Sequence, residues 1–399
     1  MRILVAHNAY QFSGGEDAVV DAEIALLRGY GHDVEVYRRH NNELKNMSRI
    51  QAAVSAIWSR RSTIEMERII NVFKPNVIHA HNIFPLISPS IFWLSARKNI
   101  PILQTLHNFR LLCPQATFLR NGHVCEDCLG KMPWRAIPRK CYRNSVLQSG
   151  LAVGVTGLHR ILGTYHHRTT HYIVPSVFCR DKFVAAGLPA QYFSIKPNFA
   201  ASPKEPIWTT RKGGVFIGRL SPEKGLNVLF AALKKSNSFH IQIAGSGPLE
   251  NSVINTFGKN YLGHLSHEQI MALLQGAQFL LAPSISYETF GLALIEAFAC
   301  GTPVIASRHG AFADLVTDGV TGLLFNPGDA HDLAEKIAWA ESHPDKMLEM
   351  GQSARIDYEA KYTPQHNYKL LIRIYENAIN TAHGLRKNSQ GTVNTWRSD

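Results

Sequence analysis

A polar loop, an apolar helix carrying a glutamate and a buried strand follow one another without a gap in residues 283–307, PSISYETFGLALIEAFACGTPVIAS. The loop ends at Glu288, a helix is predicted over about 290–300, Gly301 and Pro303 close it, and Val304, Ile305 and Ala306 read as a buried strand. Ala293, Leu294, Ile295, Ala297, Phe298 and Ala299 make that helix apolar nearly all round, so it belongs in an interior. A buried carboxylate needs a partner, which weighs against reading Glu288 and Glu296 as a solvated face. On one continuous helix the two would lie about 80° apart and roughly 12 Å along the axis, a separation for an extended ligand rather than a single reacting atom. Between them the amides of Phe290, Gly291 and Leu292 open the helix, and a helix N-terminus attracts phosphate. Hydroxyl acceptor, phosphate cradle, hydroxyl acceptor is the order of groups along a sugar–diphosphate–ribose.

The rest of the chain alternates strands and helices twice over. Residues 2–7 read as a strand, a Gly14-Gly15 turn and a helix to about Tyr30 follow, and 34–37 is the next strand. No G-x-G-x-x-G is present, so this opening is not the dinucleotide fingerprint; the glycine pair is either a plain tight turn or a place where backbone amides meet an anion. Strands at 77–79 and 102–106 each lead into a His-Asn pair, His81-Asn82 and His107-Asn108, at the strand end where ligands sit in open α/β sheets. Further strands are expected at 171–174 and 193–195, and residues 196–212 read as a linker. The second alternation has strands at 214–217, 241–244, 261–264, 279–282 and 323–325, with a helix through Lys235 after the first of them. In GRLSPEKG, Arg219 and Lys224 stand at a sheet's carboxyl edge, an arginine fork and a lysine point charge suited to phosphate, though a surface turn flanked by two cations would look the same.

The Glu, seven residues, Glu arrangement followed by ACGTPVIAS resembles the signature of the retaining nucleotide-sugar glycosyltransferases of family four. The resemblance implies a GT-B fold: α/β, two Rossmann-like doubly wound domains facing a central cleft. It extends to the G-R-L-x-x-x-K-G pattern, to GSGP at 245–248 and to a histidine after the second His-Asn strand. The boundaries it suggests are an acceptor-binding domain over 1–195 with a cysteine-rich insert at 113–141, a nucleotide-sugar domain over 196–362, a helix over 363–383 crossing back to the first domain, and a flexible tail over 384–399. Implied donor-binding residues are Gly15, Gly218, Arg219, Lys224, Gly245, Leu262, Gly263, Glu288, Phe290, Gly291, Leu292 and Glu296, with the base read by the Leu262-Gly263 backbone. Gly14, His81, Asn82 and His107 fall on the acceptor side, and His107, Glu288, Arg219 and Lys224 are the implied catalytic set. Retention by double displacement needs a carboxylate at the reacting face, and none is identified here. The resemblance instead implies a front-face route without a catalytic metal, in agreement with the lack of a D-x-D site. UDP-linked hexose is the expected donor and a lipid-linked oligosaccharide of surface-polysaccharide synthesis the expected acceptor. A polyanion- or lipid-headgroup-binding protein on a degenerate transferase fold, or a sugar-nucleotide epimerase, remain the rival readings.

Charge and cysteines add two expectations. The net charge is +12, and residues 129–180 contain no Asp or Glu while carrying Lys131, Arg135, Arg139, Lys140, Arg143, Arg160, Arg168 and Arg180. Such a surface is either a solvated basic face or one that meets anionic lipid at the membrane's inner side; no aromatic–basic interleaving points to nucleic acid. No apolar run reaches the ~20 residues of a spanning helix, and the first residues do not read as a signal peptide, so a cytoplasmic, peripherally membrane-bound protein is expected. Four of the six cysteines, Cys113, Cys125, Cys128 and Cys141, lie in one segment that includes a C-x-x-C. In a reducing compartment these are either unrelated thiols or a tetrahedral structural zinc site. Cys179 and Cys300 stand alone and read as core residues.

Overall fold

The structure is a computed structural model that describes residues 1–11, 14–202, 205–208, 211–234 and 240–393, with side chains through 382. Its strands, in chain order, are β1 (Arg2–Ala9), β2 (Asp33–His40), β3 (Val77–Ala80), β4 (Ile102–Thr105), β5 (Leu119–Arg120), β6 (His123–Val124), β7 (His171–Val174), β8 (Phe193–Ile195), β9 (Gly214–Ile217), β10 (Ile241–Ala244), β11 (Tyr261–Gly263), β12 (Phe279–Ala282), β13 (Val304–Ser307) and β14 (Gly322–Phe325). Two six-stranded sheets result, ordered β2-β1-β3-β4-β7-β8 and β11-β10-β9-β12-β13-β14, and every pairing within them is parallel.

Because both sheets are parallel, helices must cover both faces, and the strands are apolar on both sides. Leu4, Ala6, Ile78 and Ala80 face Met66, Ile70, Ile91 and Phe92 on one side of the first sheet. Their strand neighbours Ile3, Val5 and Val77 face Val20, Ile24 and Leu27 on the other. The second sheet divides in the same way between Val215, Leu280 and Val304 on one face and Phe216, Leu281 and Ile305 on the other. Leu371, Ile374, Tyr375 and Ala378, from the helix Pro364–Val393, belong to the core of the first sheet. The chain's end is thus built into the half where the chain began. That helix is assigned through Val393, so the stretch expected to be a flexible tail from 384 starts as helix; residues 394–399 lie outside the described residues, as does Lys235 at the expected end of a helix that is assigned as Leu226–Leu233.

In each sheet the chain works outward from a central strand and then returns to its other side. The first sheet reverses between β1 and β3 and the second between β9 and β12. At such a reversal the loops leaving neighbouring strands diverge to opposite faces, and a crevice opens at the strands' carboxyl ends. The loops at those two places carry Gly14, Gly15, His81 and Asn82 in one half, and Arg219, Lys224 and Glu288 in the other. Among the described residues, no helix is long and apolar enough to cross a membrane.

Candidate active site

The loop after β9 and the loop after β12 are pressed together by glycines. Gly225 has φ +74°, and a Cβ on it would fall 1.7 Å from the Pro283 carbonyl oxygen. Ile285 N–H donates to the Glu223 carbonyl oxygen at 3.0 Å. This contact brings Lys224 Nζ to 2.7 Å from Glu288 Oε1, and the Ser284 hydroxyl donates to the same oxygen at 2.7 Å. Burial opposes ionisation of Glu288, but Lys224 and Ser284 outweigh it and hold the carboxyl below its usual range. His309 fixes Ser284 in turn, its Nε2 donating to the Ser284 carbonyl oxygen at 2.8 Å. Arg219 is exposed on the same loop as Lys224, with no ion pair to a described residue. Gly218 and Gly245 carry the next loop contact: a Cβ on Gly245 would lie 1.9 Å from the Gly218 carbonyl oxygen. Gly245 N–H donates to Gly263 O at 2.8 Å, which sets the Leu262-Gly263 backbone, on the edge strand β11, beside the GSGP loop.

The helix expected over 290–300 is Leu292–Ala299. Gly291 precedes it at φ +147°, so Glu288 sits in a loop and the continuous-helix geometry for the two glutamates does not apply. Phe290 is buried in the core of the second half, which leaves only its backbone for a ligand. The amides with no intrahelical acceptor by position are those of the first turn, from Leu292 onward. Glu296 lies one turn above Leu292 on the same face. Burial lifts its pKa to about 7, and His267 Nδ1 lies 3.7 Å from its Oε1.

Across the crevice, a Cβ on Gly15 would stand 3.1 Å from Leu292 Cδ1. The glycine turn of the first half therefore faces the first turn of this helix. Asp17 holds that turn: its carboxylate accepts from Gly14 N–H at 3.1 Å and is 2.7 Å from His7 Nε2. His81 Nδ1 and His107 Nε2 share a hydrogen bond of 2.9 Å. Burial drives both imidazoles down, His107 to about 3, so both are neutral at physiological pH. Asn82 is spent on structure, donating to Asn8 O and accepting from Phe84 N–H. His81, His107, Asn108, Arg110 and Glu16 line a cavity of about 50 Å³.

Three groups of residues went unnoticed in the sequence. Thr289 bridges the halves, its hydroxyl donating to His107 O at 2.8 Å while its carbonyl accepts from Ser176 Oγ at 2.8 Å. Beside it, Tyr287 packs against Phe118 and Phe178, and burial together with Glu126 pushes its hydroxyl up to about 12; Glu126 also pairs with Lys182. Behind the histidines, Glu23 is buried among Lys196, His79 and His81, at 2.7, 3.1 and 3.6 Å. Glu23, His79 and His81 could hold a metal by proximity, but Lys196 already neutralises the carboxylate, and His79 is bonded to Tyr375 and Thr105. We read this cluster as the polar tie between the last helix and the first sheet. These three groups are assembled by contacts between distant segments, whereas Asp17, which also went unnoticed, left a local trace at the third helical position after Gly14. The four thiols of the cysteine-rich insert are free and lie in one loop region. No three of their sulfurs come within 4.8 Å of one another.

The family described as "Glycosyl transferases group 1" matches residues 199–357. An uncharacterised glycosyltransferase of Methanocaldococcus jannaschii is 30% identical over 169 residues, 41% of this chain and 47% of that protein. The D-inositol 3-phosphate glycosyltransferase of Mycolicibacterium smegmatis is 29% identical over 317 residues, 76% of this chain and 68% of that protein. A glycogen synthase of Mycobacterium tuberculosis matches over 36% of its length, so the chain spans less than half of the first curated relatives it matches. Among solved structures, sucrose-phosphate synthase of Thermosynechococcus elongatus superposes with TM-score 0.69 at 18% identity, covering 96% of this chain and 100% of that one. Anabaena HepE in complex with UDP-glucose gives 0.64 at 18% identity, covering 94% and 100%. Joined to the paired parallel sheets and the loops described above, these likenesses mean that the chain has the GT-B fold and that its residues 199–357 match the group 1 glycosyl transferases.

Proposed function

We propose that this protein is a retaining hexosyltransferase that uses a nucleotide-diphosphate sugar, UDP-linked, and passes the sugar to an acceptor held against the first half. The observation that carries the reading is the Lys224–Glu288 pair at 2.7 Å, at the reversal point of the second sheet. Facing it, Gly15 lies against the first turn of the Leu292–Ala299 helix. Leaving diphosphate fits between these elements, gripped by Lys224, the free Arg219 fork and the first-turn amides. Preorganised donors aimed at the developing charge supply the main catalytic gain in such a site. Lys224 then leaves Glu288 for phosphate, and Glu288 is freed to accept from sugar hydroxyls. Glu296 accepts from the ribose, and the Leu262-Gly263 backbone meets the base.

In the step itself the acceptor oxygen bonds to the anomeric carbon on the face the diphosphate is leaving. The bond to the phosphate oxygen breaks, and the acceptor proton passes to that oxygen. His107 is neutral and bonded to His81, so it orients a hydroxyl rather than carrying a charge. The cations and amides named here provide the positive charge that a divalent metal would otherwise bring, so we assign no catalytic metal.

For the acceptor we favour a lipid-linked oligosaccharide of surface-polysaccharide synthesis at the membrane's inner face. The helices Arg49–Ile57 and Val146–Ile161 are joined by His159 Nε2 donating to Ile57 O at 2.9 Å. They leave Ile50, Val54, Val146, Leu147, Leu158 and Ile161 exposed, and the second of the two helices lies within the acid-free basic segment 129–180. Apolar side chains rimmed by Lys and Arg are the surface of an interfacial, non-spanning attachment. A panel of UDP-, GDP- and ADP-sugars, assayed for released nucleotide with and without lipid-linked saccharide, tests the assignment. Release from one UDP-hexose, raised by acceptor, is expected. No release from any donor, together with no nucleotide-induced rise in melting temperature, would overturn it and leave a polyanion-binding protein.

A further inference from the structure

Residues 113–144 stand apart from the rest of the first half. Their regular structure is a hairpin of two-residue strands, β5 and β6, and one 3-10 turn, Pro133–Ala136. Six of the nine non-glycine residues with positive φ among the described residues fall here: Ala116, Phe118, Asn121, Lys140, Arg143 and Asn144. Each left-handed residue of this kind costs about 1 kcal/mol or more. The apolar return is small, since the buried apolar residues of the segment are Cys113, Pro114, Ala116, Phe118, Pro133 and Ala136. A loop that is strained and lightly cored needs another source of order.

The four cysteines sit where such a source would act. Cys113 precedes the hairpin and Cys125 follows it, and Cys125 N–H donates to Phe118 O at 2.7 Å, folding the hairpin's exit back toward its entrance. Asp127, within the C-x-x-C turn, pairs with Arg139, two residues before Cys141. These contacts tie together the chain segments that carry the four cysteines, and none of the four is in a disulfide.

We propose that Cys113, Cys125, Cys128 and Cys141 bind one structural zinc ion as four thiolates. Tetrahedral Zn–S bonds of about 2.3 Å put the sulfurs roughly 3.8 Å apart. The ion therefore draws the loop in from separations beyond 4.8 Å for at least some pairs. Binding releases four protons and leaves a net charge of about −2, near Arg139, which pairs with Asp127 of the C-x-x-C turn. Glu126, between the two cysteines of the C-x-x-C, is the residue that reaches Lys182 and Tyr287. The zinc knuckle so fixes a contact one residue away from Glu288, without taking part in transfer.

The test is the zinc content of the full chain purified in reducing buffer without chelator. About one zinc per chain is expected, against less than about 0.1 in the Cys125→Ser/Cys128→Ser variant. Should that variant fail to fold, the wild-type protein gives the answer. Chelator-stripped protein should expose four additional thiols to Ellman's reagent, and zinc should protect them again. Cobalt(II) should give a thiolate-to-cobalt charge-transfer band. Zinc below about 0.1 per chain in the wild type, with thiol reactivity unchanged by added zinc, overturns the proposal. So does a disulfide among these four cysteines in the freshly purified protein. Neither result bears on nucleotide release, so the transferase reading stands or falls separately.

Discussion

Lys224→Ala separates what the Lys224–Glu288 pair does for folding from what it does for catalysis. At 2.7 Å and an effective dielectric of about 20 the bare attraction is about 6 kcal/mol. Most of it is offset by desolvation, because both side chains keep some exposure, 32% and 18%, and a partly exposed pair nets about 1 kcal/mol or less. With Lys224 gone, Glu288 keeps the Ser284 hydroxyl and relieves its burial by taking up a proton more readily. Stability should fall by about 1 kcal/mol, or about 2–3 °C in the melting temperature of a domain of this size. Turnover behaves otherwise. A preorganised donor to the developing phosphate charge is worth about 2.7–4 kcal/mol, so kcat should drop roughly 10²–10³-fold. The assay is nucleotide released from the donor identified by the panel, alongside differential scanning fluorimetry. A variant that melts within about 3 °C of wild type and turns over within fivefold of it would refute the placement of this cation at the leaving group.

Three further outcomes follow from the geometry. Glu296 has its pKa raised by burial to about 7, so between about pH 4.5 and 7 the folded chain binds more protons than the unfolded one, and stability declines as pH rises across that window; Glu296→Gln should be more stable than wild type at pH 8 by about 1–2 kcal/mol and no different at pH 4, whereas nucleotide affinity in the wild type should increase with pH as the carboxylate forms, a gain the variant lacks in titration calorimetry. Gly225→Ala puts a methyl 1.7 Å from the Pro283 carbonyl oxygen at φ +74°; it should cost about 3 kcal/mol or more and abolish the thermal shift given by UDP, and a normal shift would show that the two loops need not touch. Tyr287→Ala removes the ring that meets Phe118 and Phe178 between the halves; small-angle scattering should show a larger radius of gyration and kcat/KM should fall about tenfold, while unchanged scattering would mean that Thr289 alone sets the closure.

Residues and their order were enough to define the two alternations, the loop carrying Glu288, and the cations Arg219 and Lys224. Apolar runs of strand length between glycine turns admit few alternatives, and polar residues at strand ends are where a parallel sheet exposes side chains. The sequence also fixed the C-x-x-C spacing that underlies the zinc proposal. Other features depended on distances between remote segments. Periodicity carried the helix back to residue 290, but Gly291 at φ +147° delays its start to Leu292 and leaves Glu288 in a loop. Phe290, whose amide the sequence places in a ligand cradle, has its ring buried, with Tyr362 from far along the chain packed against it. Asn82 lines the cavity with His81 and His107, and its amide also closes the loop onto Asn8, a contact with no local signal. The Lys196–Glu23 pair joins residues 173 positions apart, and the Thr289–His107 bridge joins residues 182 apart. A sequence displays each residue's chemistry and its local period; which buried carboxylate meets which cation depends on how two sheets and a returning helix pack, and only the tertiary structure contains those distances.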